Sequence, residues 1–227
     1  MHLSEAKIGN ALQFPCAFDV TVSRGKTVMP SGMPPNLSGV LGLAFFQSLG
    51  GVVEFDFKEG LFRWGNSPES ITTPLSRSRY HEKEVEKFLK HWPIMGNVIV
   101  NGLPTGGVFD LGTPCTILNA ASVKAQYGVS LDHLPVAPLH STGADGIGVS
   151  LRLLPHEVAI DLFYDYKDKD YRTDVKKLHR GPAFAGDILH YLKQFKDPPA
   201  VVLGSDVLSR DKLLLDLNRM RLGITCP

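Results

Sequence analysis

The chain has 227 residues, 43% apolar and 21% charged, with a net charge of +1 at pH 7. That is enough for one large domain or two small ones, in the composition of a soluble globular protein. So balanced a charge argues against nucleic acid as a partner, which needs a basic patch, and no apolar run approaches the 18 residues of a membrane span.

Sixteen prolines and 22 glycines imply many turns and a mainly β architecture with short helices. Cys16, Cys115 and Cys226 are too few and too scattered for a disulfide framework or a zinc site. Their odd count favours a reducing, intracellular compartment. The first 20 residues lack a basic stretch followed by an apolar core, so no secretory signal is read there, and organellar import stays open.

Residues 3–23 read as strands, with period-two alternation over 17–22. A Gly-, Pro- and Ser-rich loop fills 24–38. A short apolar strand from Gly39 then runs into one or two helical turns ending near Ser48. Residues 52–57 form a strand, Lys58-Glu59-Gly60 a hairpin turn, and 61–64 the returning strand. Residues 66–79 are polar and linker-like. Residues 81–90 (HEKEVEKFLK) predict a short helix with Val85, Phe88 and Leu89 on one face. His81-Glu82 and His156-Glu157 each lack the second histidine of a zinc-hydrolase motif, so neither metal nor cofactor is expected.

From Ile94 the pattern is β again. A strand ends in Asn101-Gly102, a strong hairpin signal, and a second strand arrives at Asp110. Asn119 caps a predicted helix over 120–127 that Gly128 ends. A Gly-rich turn at 140–146 precedes strands over 149–154 and 158–163. Residues 164–180 alternate Asp with Lys and Arg and read as a solvated excursion. Residues 186–195 (GDILHYLKQF) read as helical.

The run from Val108 to Leu118 carries one carboxylate, Asp110, out of an apolar stretch and into a glycine turn. Burying a carboxylate at a strand tip costs free energy unless hydrogen bonds or a charge compensate, and such groups are often put to chemical use. An Asp capping a tight turn before Gly112 explains the same residues. What separates the two readings is an internal repeat. Val40-Leu41-Gly42 matches Val202-Leu203-Gly204, Phe45-Phe46 matches Val207-Leu208, and residues 53–57 match 213–217, the offset slipping from 162 to 160.

A strand ending in Asp110-Leu111-Gly112-Thr113, a glycine-bearing hairpin, then Val202-Leu203-Gly204 opening a short helix resembles the retropepsin-like aspartic peptidases. The segment from Phe184-Ala185-Gly186-Asp187 through Arg210 is similar to the tandem, two-lobed members. The resemblance implies acid-protease-like closed β-barrel lobes. It implies that 94–227 is a complete second lobe, 66–93 a linker and 1–65 the later half of a first lobe. In this family two carboxylates share a proton, because like charges so close cannot both ionise. The ionised one draws a proton from water while the other hydrogen-bonds the substrate carbonyl. Asp110 would supply one carboxylate, Gly112 would let the backbone pass beneath it, and Val202, Leu203 and Gly204 would pack under the loop. Residues 140–146, with Ser141, Thr142, Gly143 and Gly146, would be the flap over a peptide or protein substrate.

Three features depart from the family pattern. Leu111 stands where Thr or Ser is usual and offers no donor for a cross-loop bond, and the Thr113 hydroxyl lies beyond Gly112. Asp110 precedes Gly204 by 94 residues, and the same step back from Gly42 falls before Met1. A second aspartate is therefore expected from an upstream lobe or a second copy in a homodimer. Pro114-Cys115 follows the motif where small residues are usual, and Cys115 is expected to be a buried structural thiol. The resemblance implies an aspartic endopeptidase. A pseudopeptidase using the same barrel to bind peptides is the alternative that Leu111 favours.

Overall fold

The computed structural model describes residues 2–8, 12–19, 43–72, 80–84, 86–87, 94–142, 148–162, 176–187 and 198–225. It is mainly β with short helices, as composition predicts. Strands β1 (His2–Ile8) and β2 (Leu12–Asp19) pair as a separate hairpin.

A ten-stranded sheet holds most of the second half of the chain. It contains β6 (Glu86–Lys87), β7 (Ile94–Val100), β8 (Leu103–Phe109), β9 (Ile117–Leu118), β10 (Val136–Thr142) and β11 (Gly148–Leu153). It also contains β12 (Val158–Leu162), β13 (Lys176–Gly181), β14 (Phe184–Ala185) and β15 (Ala200–Leu203). The order is β10-β11-β14-β9-β15-β8-β7-β12-β13, with β6 pairing β7.

Local chemistry sets the turns. Asn101 at φ 49° and Gly102 at φ 83° join β7 to β8 in the left-handed conformations that a two-residue hairpin needs. Helix α3 (Ala120–Tyr127) starts where the Asn119 side chain accepts from the Ser122 N–H, and ends where Gly128 turns left-handed at φ 69°.

The third sheet joins the two copies of the repeat. The first copy supplies α1 (Leu43–Ser48), β3 (Val52–Asp56) and β4 (Leu61–Gly65); the second supplies α4 (Ser205–Leu208), β16 (Lys212–Asp216) and β17 (Arg221–Thr225). The order is β4-β3-β16-β17-β5, with β5 covering Tyr80–Glu84. Strands β3 and β16 pair antiparallel, with Asp56 opposite Lys212, Glu54 opposite Leu214 and Val52 opposite Asp216. Position 54 therefore meets its own repeat equivalent, 214, and the flanking pairs are symmetric about that point. This is the isologous contact of a local two-fold axis. The turns repeat as well: Asp56 Oδ1 accepts the Glu59 N–H, and Asp216 Oδ1 accepts that of Arg219, the equivalent residue.

One face of this sheet enters the main core. Val53, Leu213, Leu215 and Ile224 pack in one cluster with Val98, Ile160, Val201 and Leu203. At the edge of the outer face, buried Glu54 and Asp56 are held by Arg63 and Lys212, with Arg63 2.9 Å from Glu54.

Two expectations fail. Of the helix expected over 81–90, the described residues form β5 and β6 instead, because Tyr80–Glu84 satisfies the open backbone edge of β17 and long-range pairing outweighs helix propensity; 85 and 88–90 lie outside the described residues. Lys176–Gly181, read as the end of a solvated excursion, is strand β13 paired to β12. The loop over 24–38 lies outside the described residues, as do 163–175 and 188–197. Residues 66–93 contribute α2 (Pro68–Ile71), β5 and β6.

Candidate active site

Strand β15 is inserted between two strands consecutive in sequence. It runs parallel to β8, with Val202 opposite Val108 and Leu203 opposite Phe109, and antiparallel to β9, with Val202 opposite Ile117. All four β15 residues are buried, consistent with their continuous apolar sequence. The segment 110–116 must cross over the end of β15 to reach β9. Asp110 is the first residue of that crossing.

Hydrogen bonds fasten the crossing to the strand beneath. The Asp110 N–H donates to the Leu203 carbonyl at 3.0 Å, and the Ser205 N–H to the Thr113 carbonyl at 2.8 Å. Gly204 passes so close under the loop that a Cβ there would lie 2.6 Å from the Cys115 carbonyl oxygen and 2.7 Å from that of Thr113. Val202 and Leu203 are buried at 2% and 0% exposure; the Leu203 carbonyl meets the first residue of the loop, and Val202 lies between Val108 and Ile117 of the flanking strands.

The Asp110 carboxylate is half-buried, and both oxygens are engaged within the loop. Oδ1 accepts the Gly112 N–H at 2.8 Å, and Oδ2 accepts the Thr113 hydroxyl at 2.7 Å. The Thr113 N–H also reaches the Asp110 carbonyl, closing a tight turn. Thr113 thus orients the carboxylate of its own loop, a role not visible in sequence because it depends on the fold of the turn. Leu111 is partly buried and packs against the main core, so it serves as an apolar anchor for the crossing.

Asp206 is the residue that sequence reasoning passed over. Its carboxylate accepts both the N–H and the hydroxyl of Thr116, and the Thr116 hydroxyl oxygen accepts the Gly204 N–H at 3.4 Å. Its place in Leu203-Gly204-Ser205-Asp206-Val207-Leu208 was legible, but only the register of β8, β9 and β15 shows what the aspartate holds.

Cys115 is a half-buried free thiol packed against Ile117, Ala137 and Leu151. Burial, assisted by the nearby negative charge of Asp206, pushes it up to about 11, which leaves it protonated and a poor nucleophile near neutral pH.

Of the flap residues, Ser141 and Thr142 lie in β10, opposite Val149 and Gly148 of β11. Gly143 and Gly146 lie outside the described residues. The hairpin is separated from β15 by β14 and β9, and Asp110's carboxylate bonds stay within its own loop. Among the described residues, no cluster of three His, Cys, Asp or Glu side chains could hold a metal ion.

No family model and no curated protein matches the sequence. Among solved structures, the chain is similar to EIAV protease complexed with the inhibitor HBY-793, at 17% identity and a TM-score of 0.31. That match covers 54% of this chain and 91% of that one. It is also similar to a retropepsin-like aspartic protease from Rickettsia conorii, at 15% identity and a TM-score of 0.36, covering 64% of this chain and 95% of that one.

Proposed function

We propose that this chain is a retropepsin-like aspartic endopeptidase unit acting on extended peptides, with Asp110 as one carboxylate of a shared-proton pair. The observation that carries the reading is the crossing itself. A half-buried aspartate opens a loop drawn over a buried strand end, with Gly204 admitting the close approach and Thr113 and Gly112 aiming the carboxylate. Such a carboxylate can act as base toward water only while a partner carboxyl stays protonated and polarises the substrate carbonyl.

Another lobe, or a second copy of the chain, supplies the second carboxylate in this reading. In this reading 94–227 is one lobe, 66–93 connects, and 1–65 is the later part of a first lobe. The two-fold pairing of β3 with β16 supports this division, since the repeat copies meet as equivalent halves.

A second reading is favoured by one observation. Leu111 is committed to the core and both Asp110 oxygens are already satisfied in the loop, an arrangement suited to a pseudopeptidase that binds peptides without hydrolysis.

The test is incubation of the purified chain with a peptide library across mildly acidic pH, beside Asp110→Asn. Cleavage by the wild type, lost in the variant, supports the peptidase. Equal cleavage by both removes Asp110 from the chemistry. Saturable peptide binding without cleavage by either selects the second reading.

A further inference from the structure

A β-bulge turns His179 into the protein. In the pairing of β12 with β13, Ile160 lies opposite His179 but Asp161 lies opposite Lys177, leaving Leu178 as the extra residue. The alternation of β13 breaks there, so Leu178 and His179 are buried in succession while Lys177 and Arg180 flank them exposed. His179 is only 5% exposed. It meets Arg210, just beyond the end of α4, in the wall of a groove that Asp161 of β12 and Lys177 and Arg180 of β13 also line.

The contact fixes where the ring proton sits. An Arg210 guanidinium N–H donates to His179 Nδ1 at 2.7 Å, and because arginine has no acceptor, Nδ1 must carry the lone pair. The proton is on Nε2, an atom buried against the Gly181 and Pro182 backbone, whose hydrogen bonding favours it there. A second proton can enter only at Nδ1, where it sets two donors face to face and two cations side by side. Burial, then the Arg210 charge, opposes that proton, while the Asp206 carboxylate and the Pro182 and Gly181 backbone favour it. The balance lies below the ordinary histidine value, so near neutral pH the ring is neutral and Arg210 stays bound.

Arg210 holds more than the ring. Its Nε–H donates to the Asp206 carbonyl at 2.9 Å, and the Asp206 carboxylate accepts the N–H and the hydroxyl of Thr116, the last residue of the Asp110 crossing. We propose that the His179–Arg210 bond is a proton-operated latch between β13 and the helix under the crossing. Closed, it braces α4 and steadies Asp206 beneath Thr116. A proton from solvent bonds to Nδ1, the ring becomes an imidazolium, and Arg210 loses its acceptor. Imidazolium and guanidinium then both draw on the Asp206 carboxylate, the same anion that holds Thr116, and the grip on the crossing weakens. The latch acts on the loop's anchorage, so it does not depend on whether that loop hydrolyses peptides.

The experiment takes the full chain from pH 8 to pH 4 by NMR, reading the His179 imidazole signal and the hydrogen-exchange protection factors of the Thr116 and Val98 amides. His179 should titrate below the ordinary 6.5, and Thr116 protection should fall about tenfold through the same midpoint, the loss of one charge-assisted hydrogen bond. A histidine held neutral by folding contributes stability in full above its unfolded value and loses it as pH falls toward the folded one. Val98, in β7 of the same sheet, measures that global loss and should fall less than Thr116. His179→Asn leaves an acceptor near the place of Nδ1 that takes no proton, so the Thr116 profile should flatten above the carboxylate range, about pH 4. Arg210→Ala removes an exposed side chain; it should raise the His179 midpoint and uncouple Thr116 from it, so the test survives if His179→Asn does not fold. A ring still neutral at pH 4, a Thr116 step that persists in His179→Asn, or Val98 falling as far as Thr116 would overturn the proposal.

Discussion

Thr116 gives both its backbone N–H and its hydroxyl to the Asp206 carboxylate, at 3.0 and 2.9 Å, across 90 residues of chain. Thr116 is fully buried, so in the folded chain both of its donors rely on that carboxylate. Asp206→Ala should therefore cost roughly 2–3 kcal/mol, the range for hydrogen bonds to a charged partner and the desolvated groups left behind. Asp206→Asn should cost less, since an amide oxygen still accepts. Urea unfolding of the two variants checks the order; equal stability of Asp206→Ala and wild type would mean that the pair does not tie the crossing to α4.

Gly204→Ala meets only backbone: the Cys115 carbonyl at 2.6 and 2.7 Å and the Thr113 oxygen at 2.7 Å. Backbone cannot swing aside as a side chain can, so about 3 kcal/mol or more is expected from the forced separation of loop and strand. Gly128→Ala is the comparison. Its φ of +69° is strained for alanine, but the space is open, and about 1 kcal/mol is expected. Calorimetry of both variants should find Gly204→Ala clearly the worse.

Asp56 bridges the repeat copies through Lys212. Burial raises its carboxyl, but the Lys212 hydrogen bond, the Glu59 N–H and the charges of Lys212 and Arg63 together hold it below 3.8. A carboxyl depressed on folding contributes stability above its unfolded pKa and loses it as pH falls through the folded one. Asp56→Asn should thus be less stable than wild type at pH 7, and the gap should narrow below about pH 4, near the unfolded carboxyl value. Denaturation at several pH values checks this; a gap constant from pH 7 to 3 would contradict it.

With its thiol near 11, Cys115 should alkylate slowly at pH 8, and its rate should still be rising at pH 10. Iodoacetamide labelling in a Cys16→Ser/Cys226→Ser background isolates this thiol. A rate that levels off by pH 9 would place Cys115 in a more polar setting than the packing against Ile117 and Leu151 allows.

Sequence by itself determined the features that neighbouring residues decide. Asn101-Gly102 makes its hairpin, and Asn119 and Gly128 bound their helix, because turn and cap chemistry acts within four residues. The repeat was legible for a related reason: the same local order of helix, strand, turn and strand was written twice. Tertiary structure alone decided that residues 80–84 join a sheet, that Thr113 turns back on Asp110, and that Asp206 and Arg210 meet Thr116 and His179. Each of these rests on a backbone edge, a buried donor or a charge whose partner is brought near by strand pairing or by the folded turn, and spacing along the chain carries no record of that approach.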